Sequence, residues 1–403
     1  MKNGKDRRNT FLLVGSVLIV SLQWWIFYFF RIILLSPFDA ILSGLAIFSA
    51  AFIISWAAEL AQLEIPQTLA LAFLALIAVL PEYAVDMYFA WKAGYEPTYI
   101  SYVAANMTGS NRLLIGLGWA TVVFVYWFKT SKREIILAKE HYLEISALLF
   151  ATVYSFVIPI KGTISLIDSF ILISIFVWYI RKASRTALVE PELEGPAKVI
   201  SGLKTNTRRI ITILFFLFSG ATIYISAKPF AEGLIYAGRK FGIEEFILVQ
   251  WLAPLASEAP EFIVAIIFAA RANAIAGLGT LISSKINQWT LLVGMLPIVY
   301  NISALIHQQG GTLIQPMFLD SRQIGEMFLT SAQSFFALVV LINLSFSIYE
   351  AGILALLFIT QLFFTSPEVR YIYAIIYIVS GVILLIFSRT KINSIKSMFR
   401  IIK

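Results

Sequence analysis

The sequence predicts an all-α polytopic membrane protein, two inverted five-helix repeats with one extra helix at each end, about 12 spans in all. Three observations carry this. Of 403 residues, 59% are hydrophobic and only 13% charged, with a mean hydropathy of +0.84, too few charges to cover a soluble protein of this length. Apolar stretches of about 20 residues, enough to cross a bilayer, recur along the whole chain. Finally, "AVLPEYAVDMYFAWKAG" (78–94) and "ASEAPEFIVAIIFAARAN" (256–273) share a Pro-Glu pair set in apolar helix, then a basic residue and a short turn.

Spans are expected at roughly 11–35, 38–61, 67–91, 99–127, 141–159 and 163–180, then at 209–237, 244–270, 274–301, 324–347, 350–365 and 370–388. Lys2, Lys5, Arg7 and Arg8 precede the first. Its apolar run is too long for a signal-peptide core and no small-residue cleavage site follows, so it reads as a retained helix. The third span runs without charge from Leu69 to Ala78 and then meets Pro81, Glu82 and Asp86. The fourth carries "AANMTGSNRLLIGLG" (104–118) and the ninth "GLGTLISSKINQWTLLVG" (277–294), helices with small polar residues that follow the two Pro-Glu segments. In the seventh, Lys228 and Glu232 stand four apart and are expected to neutralise each other. The tenth and eleventh are divided only by a short turn around Tyr349.

Between the sixth and seventh spans, "KASRTALVEPELEGPAKVISGLKTNTR" (182–208) reads as a linker. The chain thus divides into an extra N-terminal helix (1–36), a first repeat (37–181), the linker, a second repeat (209–366), and an extra C-terminal helix with a basic tail (367–403). Five spans per repeat is an odd number, so the second repeat must be inverted relative to the first, as in secondary transporters with a site at the bilayer midplane.

Basic residues concentrate at the N-terminus, at 129–139, at 181–209 and at the C-terminus. Counting spans from a cytoplasmic N-terminus puts all four on the inner side, which places both termini and the linker in the cytoplasm, most simply of a cell-membrane protein. The net charge of +8 therefore reflects topology rather than nucleic-acid binding. The absence of Cys excludes disulfides and thiolate chemistry, and His141 and His307 are too separated to make a metal site.

Glu82 and Asp86 share one helix face with Ala78 and Ala75, and Ser257, Glu258 and Glu261 share another with Pro254. An isolated carboxylate at the bilayer centre costs on the order of 3 kcal/mol, so such groups stay when paired, protonated or lining a polar cavity. Hard divalent cations such as Ca²⁺ neutralise two acids at once and prefer oxygen ligands. Pro81 and Pro260 would release the carbonyls of Ile77 and Ala256. Asn106 with Ser110, and Thr280 with Ser284 and Gln288, add oxygens on the following helices. Ala104, Ala105, Gly109, Gly116, Gly277 and Gly279 allow close backbone approach. Arg112 falls on a different side of its helix from Ser110 and needs another partner. Asp168 and Glu350, near the starts of corresponding spans, read as caps or anchors.

With these motifs the chain resembles the sodium/calcium exchangers of the cation/calcium antiporter superfamily, whose repeats carry Gly-Thr-Ser-Leu-Pro-Glu on one helix and Gly-Ser-Asn on the next. The resemblance covers about 37–366 and includes the lead-in "AEGLIYAGRKFGIEEFILVQWLAPLASEAPE". It implies that Glu82 and Glu261 bind Ca²⁺, with Ser110, Ser284 and Ser257 at the family's hydroxyl positions and Asp86, Asn106, Glu258 and Gln288 as further candidates. The departures are Ala78 and Val79 for the first Thr-Ser pair, Glu258 for a serine, Leu114 where the second repeat has Gln288, Ser283 for a glycine and Lys285 for an asparagine. Lys285 either supplies a fixed positive charge near Glu258 in place of one transported cation, or snorkels or pairs structurally.

The resemblance implies a secondary antiporter that exchanges Ca²⁺ or a similar divalent cation for Na⁺ by alternating access. It needs no cofactor; its partners are inorganic cations and the lipid bilayer. Coupling to H⁺ or K⁺, or a transport-impaired relative with a regulatory binding role, stays open. An intramembrane enzyme is the distant alternative, since the Tyr-Asp and Gly-x-Gly-Asp motifs of intramembrane aspartyl proteases are missing.

Overall fold

The structure is a computed structural model that describes every residue except 1, 33, 35–36, 64–79, 185–192, 194, 308–313, 365 and 403. Ala75, Ile77, Ala78 and Val79, with most of the first half of the third expected span, lie outside the described residues.

Helix α1 is Lys2–Phe29, α2 Phe38–Ala61 and α3 Leu80–Ala93. Helices α4 (Ile100–Leu113) and α5 (Ala120–Thr130) are joined by a π-helical turn at Leu114–Trp119. Strand β1 (Glu134–Ile136) leads to α6 (Tyr142–Ser155) and the short α7 (Val157–Lys161), ended by Gly162 at φ 68°, where a side chain would be strained. Strand β2 (Thr163–Ile164) precedes α8 (Leu166–Ala183). A short helix α9 (Gly195–Ser201) lies inside the expected linker, and α10 (Thr205–Phe241) starts before the linker's expected end. Helix α11 (Glu245–Ala270) is broken at Pro260, the expected consequence of a missing N–H. Helices α12 (Ala274–Asn287) and α13 (Val293–Ile306) are joined by a second π-helical turn, Gln288–Leu292. Strand β3 (Met317–Phe318) precedes α14 (Ser321–Leu341), and β4 (Ser345–Ser347) precedes α15 (Ile348–Leu362). Both of these helices start on a capping box, Asp320 with Gln323 and Ser347 with Glu350. Helix α16 (Pro367–Phe387) and α17 (Arg389–Ile402) end the chain, so the basic tail is helical.

Among the described residues, eight helical runs are long and apolar enough to cross a membrane, or nine if the broken α11 is one span. The difference from twelve has local causes. Half of the third span is not described, α8 holds Asp168, Arg181 and Lys182 within 18 residues, and α15 has only 15. The tenth span ends at Leu341 rather than 347 because Ser345–Ser347 is drawn into a strand pair.

The described chain forms two compact units, one from Met1–Tyr88 and Ser184–Pro260, the other from Phe89–Ala183 and Glu261–Lys403. In the first, α2 lies along α10, with Ala40 and Gly44 on the contact face. A Cβ on Gly233 would stand 2.7 Å from the Ala40 methyl, so the two backbones meet as closely as glycine allows. Trp24 and Trp25 donate to the Ile225 carbonyl (3.3 Å) and the Thr222 hydroxyl (2.8 Å), which fastens α1 to α10.

In the second unit, antiparallel pairs β1–β4 and β2–β3 connect loops. Counting spans puts β1 and β4 in loops on one side of the bilayer and β2 and β3 in loops on the other, so each pair joins loops assigned to the same side. Helix α12 meets the C-terminal part of α11 at Gly277, where a Cβ would lie 2.5 Å from the Ala265 carbonyl oxygen. Backbone cannot yield as a side chain can. Gly277→Ala is therefore expected to cost about 1–3 kcal/mol, read as a lower unfolding temperature of the purified protein in detergent.

Candidate functional site

In the first unit, Glu82 is 1% exposed and Asp86 is fully buried one turn further along α3. Pro81 directly follows Leu80, where the described part of that helix begins. Ser257 and Glu258 are buried on α11, and the Ser257 hydroxyl donates to the Ala253 carbonyl at 3.1 Å. Tyr88, also on α3, donates its hydroxyl to Glu232, whereas Lys228 is exposed. The expected Lys228–Glu232 neutralisation gives way to this tyrosine contact.

The second unit holds the remaining candidates. Glu261, 8% exposed, accepts the hydroxyl of Ser284 on α12. Asn106 and Ser110 are fully buried on α4, and Gln288 opens the π turn after α12. Their neighbours Thr108, Thr280 and Thr290 donate to the carbonyl four residues earlier, the ordinary use of a hydroxyl in a membrane helix. Ser110 does not. The Ser110 hydroxyl and both amide atoms of Asn106 and of Gln288 find no hydrogen-bond partner among the described residues. In a bilayer such groups cost several kcal/mol each unless something satisfies them, and a bound ion is one of the things that can.

The π turns are a second signal. They begin four residues after Ser110 and four residues after Ser284. A π turn widens the helix and re-aims its faces, and such turns cluster at functional sites. The two segments that look alike in sequence therefore also share a backbone irregularity at the same register.

Lys285 is 1% exposed. Its ammonium donates to the Asn111 side-chain oxygen at 2.6 Å and lies 4.2 Å from the centre of the Trp289 ring. Arg112, expected to turn away from Ser110, meets Glu326 on α14 at 2.5 Å, and Arg370 on α16 meets the same carboxylate at 2.9 Å. All three are buried. Neither Glu326 nor Arg370 stood out in the sequence, because each lies near the start of its span beside another charge, Arg322 and Glu368, and nothing marks its partner. Asp168 accepts the Ser165 N–H (2.6 Å) and the Tyr154 hydroxyl (2.7 Å), and Glu350 completes a capping box, so both serve as the caps the sequence suggests. His141 lies beside Glu144 (3.6 Å) and His307 against the ring of Tyr95. Among the described residues, no group of three or more His, Asp or Glu side chains could hold a metal ion.

Comparison with known proteins places the chain in a family. The family model for the sodium/calcium exchanger protein matches residues 36–181 and 211–366. A crystal structure of the H⁺/Ca²⁺ exchanger CAX superposes with a TM-score of 0.92 at 44% identity, covering 98% of each chain. The structure of native YfkE matches with a TM-score of 0.60 at 17% identity, over 92% of this chain and 99% of that one. The sodium-calcium exchanger NCX_Mj matches with a TM-score of 0.52 at 17% identity, over 79% of this chain and 95% of that one. The search of curated proteins gave no significant match.

Proposed function

Since the chain belongs to the sodium/calcium exchanger family and is an integral multi-pass membrane protein, we propose that it exchanges Ca²⁺ for protons by alternating access between two inverted repeats, 37–181 and 209–366. The observation that carries the cation site is the set of buried, unused side-chain oxygens of Asn106, Ser110 and Gln288 beside motif residues. Glu82 and Glu261 are the two principal carboxylates. Ser257, Glu258, Asp86 and Ser284 contribute further oxygens or hold the acids in place. A carboxylate binds either a divalent ion or a proton, so the same acids serve both halves of the cycle.

Two facts favour protons over sodium. The 44% identical solved structure is that of an H⁺/Ca²⁺ exchanger. In addition, Ala78 and Val79 stand where sodium-coupled relatives carry hydroxyls, so the neutral oxygens a sodium ion needs are fewer. The two matched segments, 36–181 and 211–366, support the two-repeat reading. The basic loops support cytoplasmic termini and linker in a cell membrane.

The test uses purified protein in vesicles whose pH and Na⁺ gradients are imposed separately. Calcium uptake is expected when the lumen is acid, with no response to an outward Na⁺ gradient at equal pH. Uptake driven by Na⁺ alone would overturn proton coupling and restore the sodium-coupled alternative.

A further inference from the structure

The Lys285 contacts have the make-up of a cation site. An amide oxygen at 2.6 Å, the Asn111 backbone carbonyl at 3.5 Å and the face of Trp289 at 4.2 Å surround the ammonium. Carbonyl oxygens and an indole face are what a desolvated monovalent cation accepts in place of water. The orientation is held from behind, because the Asn111 amide nitrogen donates to the Met107 carbonyl at 2.8 Å and so turns its oxygen to the ammonium.

The position matters as much as the contacts. Asn111 follows Ser110 and Lys285 follows Ser284, and each stands three residues before a π turn. They are the same place in the two similar segments, an amide in one and an ammonium in the other, and they bind each other. Ser284 in turn donates to Glu261. A charge fixed at Lys285 is thus one residue from the hydroxyl that orients a proposed transport carboxylate.

We propose that Lys285 is a resident cation. Its ammonium permanently fills a monovalent-cation position formed with Asn111 and Trp289, and so keeps alkali ions out of this exchanger. The inference rests on the exchanger reading above, and it makes Lys285 a specificity-determining residue. Removing the ammonium leaves the amide oxygen, the carbonyl and the ring facing a space that Na⁺ can enter.

The test compares wild type with Lys285→Ala, Lys285→Gln and Lys285→Arg. Purified proteins in detergent are heated in NaCl or in choline chloride of equal ionic strength, and the same proteins in vesicles are assayed for labelled Na⁺ uptake against Ca²⁺ efflux. The neutral variants are expected to gain a saturable, Na⁺-specific rise in unfolding temperature on the order of 2 °C, and Na⁺ uptake that wild type and Lys285→Arg lack. The detergent measurement needs only folded protein, so a transport defect does not obscure it, and Lys285→Gln keeps a donor for Asn111 should Lys285→Ala be unstable. Folded neutral variants without a Na⁺-specific shift overturn the proposal, as does an equal shift in Lys285→Arg. Wild-type vesicles that run on Na⁺ overturn it together with proton coupling, whereas wild-type uptake driven by protons with no Na⁺-specific shift in the neutral variants overturns it alone.

Discussion

Glu261→Gln is expected to reduce calcium exchange in reconstituted vesicles by at least about thirtyfold, since losing one partner of a buried charged contact costs about 2–5 kcal/mol and each 1.4 kcal/mol is tenfold. The substitution is nearly isosteric. Its amide can still meet Ser284, so the local packing of α12 against Glu261 survives and the folded protein should purify normally. What disappears is the negative charge that both a divalent ion and a proton require. Glu82→Gln should behave alike, for a buried acid in the corresponding Pro-Glu pair. Ser284→Ala removes a neutral hydroxyl and leaves the carboxylate in place, so it should cost less, about tenfold, the lower end of the roughly 1.5–3 kcal/mol that a hydrogen bond to a charged group is worth. The measurement is initial Ca²⁺ uptake under a fixed pH gradient, alongside the Ca²⁺-induced rise in unfolding temperature. Uptake persisting in both glutamate variants would remove them from the transport site.

The parts of this site legible in the sequence are those where chemistry conflicts with hydrocarbon. Glu82, Asp86, Glu258 and Glu261 stand out because acids do not belong in apolar helices, and the structure buries all four. Charge asymmetry is a property of composition and gives each loop an expected side, and both strand pairs join loops expected on the same side. The pairs themselves were hidden. Two or three residues of strand at the edge of a long helix have no periodicity to detect, and Ser345–Ser347 therefore reads as the tail of a span. The π turns were hidden for a related reason, since one extra residue in a turn leaves an all-apolar run such as Leu114–Trp119 unchanged. Lys285 was visible as an anomaly, but its partner was not. A lysine that needs an acceptor in a membrane suggests a carboxylate, and the expectation of Glu258 followed. Within its own unit the ammonium meets an amide oxygen and an aromatic face, ligands that any apolar helix with an Asn and a Trp can supply.

The second large effect concerns stability. Glu326→Gln is expected to destabilise the protein by about 3–5 kcal/mol, the usual cost of breaking a buried ionic cluster by removing one partner. Glu326 bridges Arg112 on α4 and Arg370 on α16, at 2.5 and 2.9 Å, from the middle of the cluster. One carboxylate between two guanidiniums is charge-deficient already, so losing it leaves two buried positive charges facing each other in a low-dielectric interior. Losing Arg370 is different. Glu326 still meets Arg112, with Arg322 one turn before it on α14, and the Gln361 carbonyl loses the donor it accepts from at 2.9 Å. The order of unfolding temperatures should therefore be wild type, then Arg370→Gln, then Glu326→Gln, with a gap of several degrees between the two variants. The double change Glu326→Gln with Arg370→Gln should recover part of the loss, because it removes one of the two stranded charges. If Glu326→Gln unfolds no earlier than Arg370→Gln, the carboxylate is not the hub that ties the motif helix α4 to α14 and α16. Calcium uptake per folded molecule should change little in Arg370→Gln, which separates this structural cluster from the transport acids.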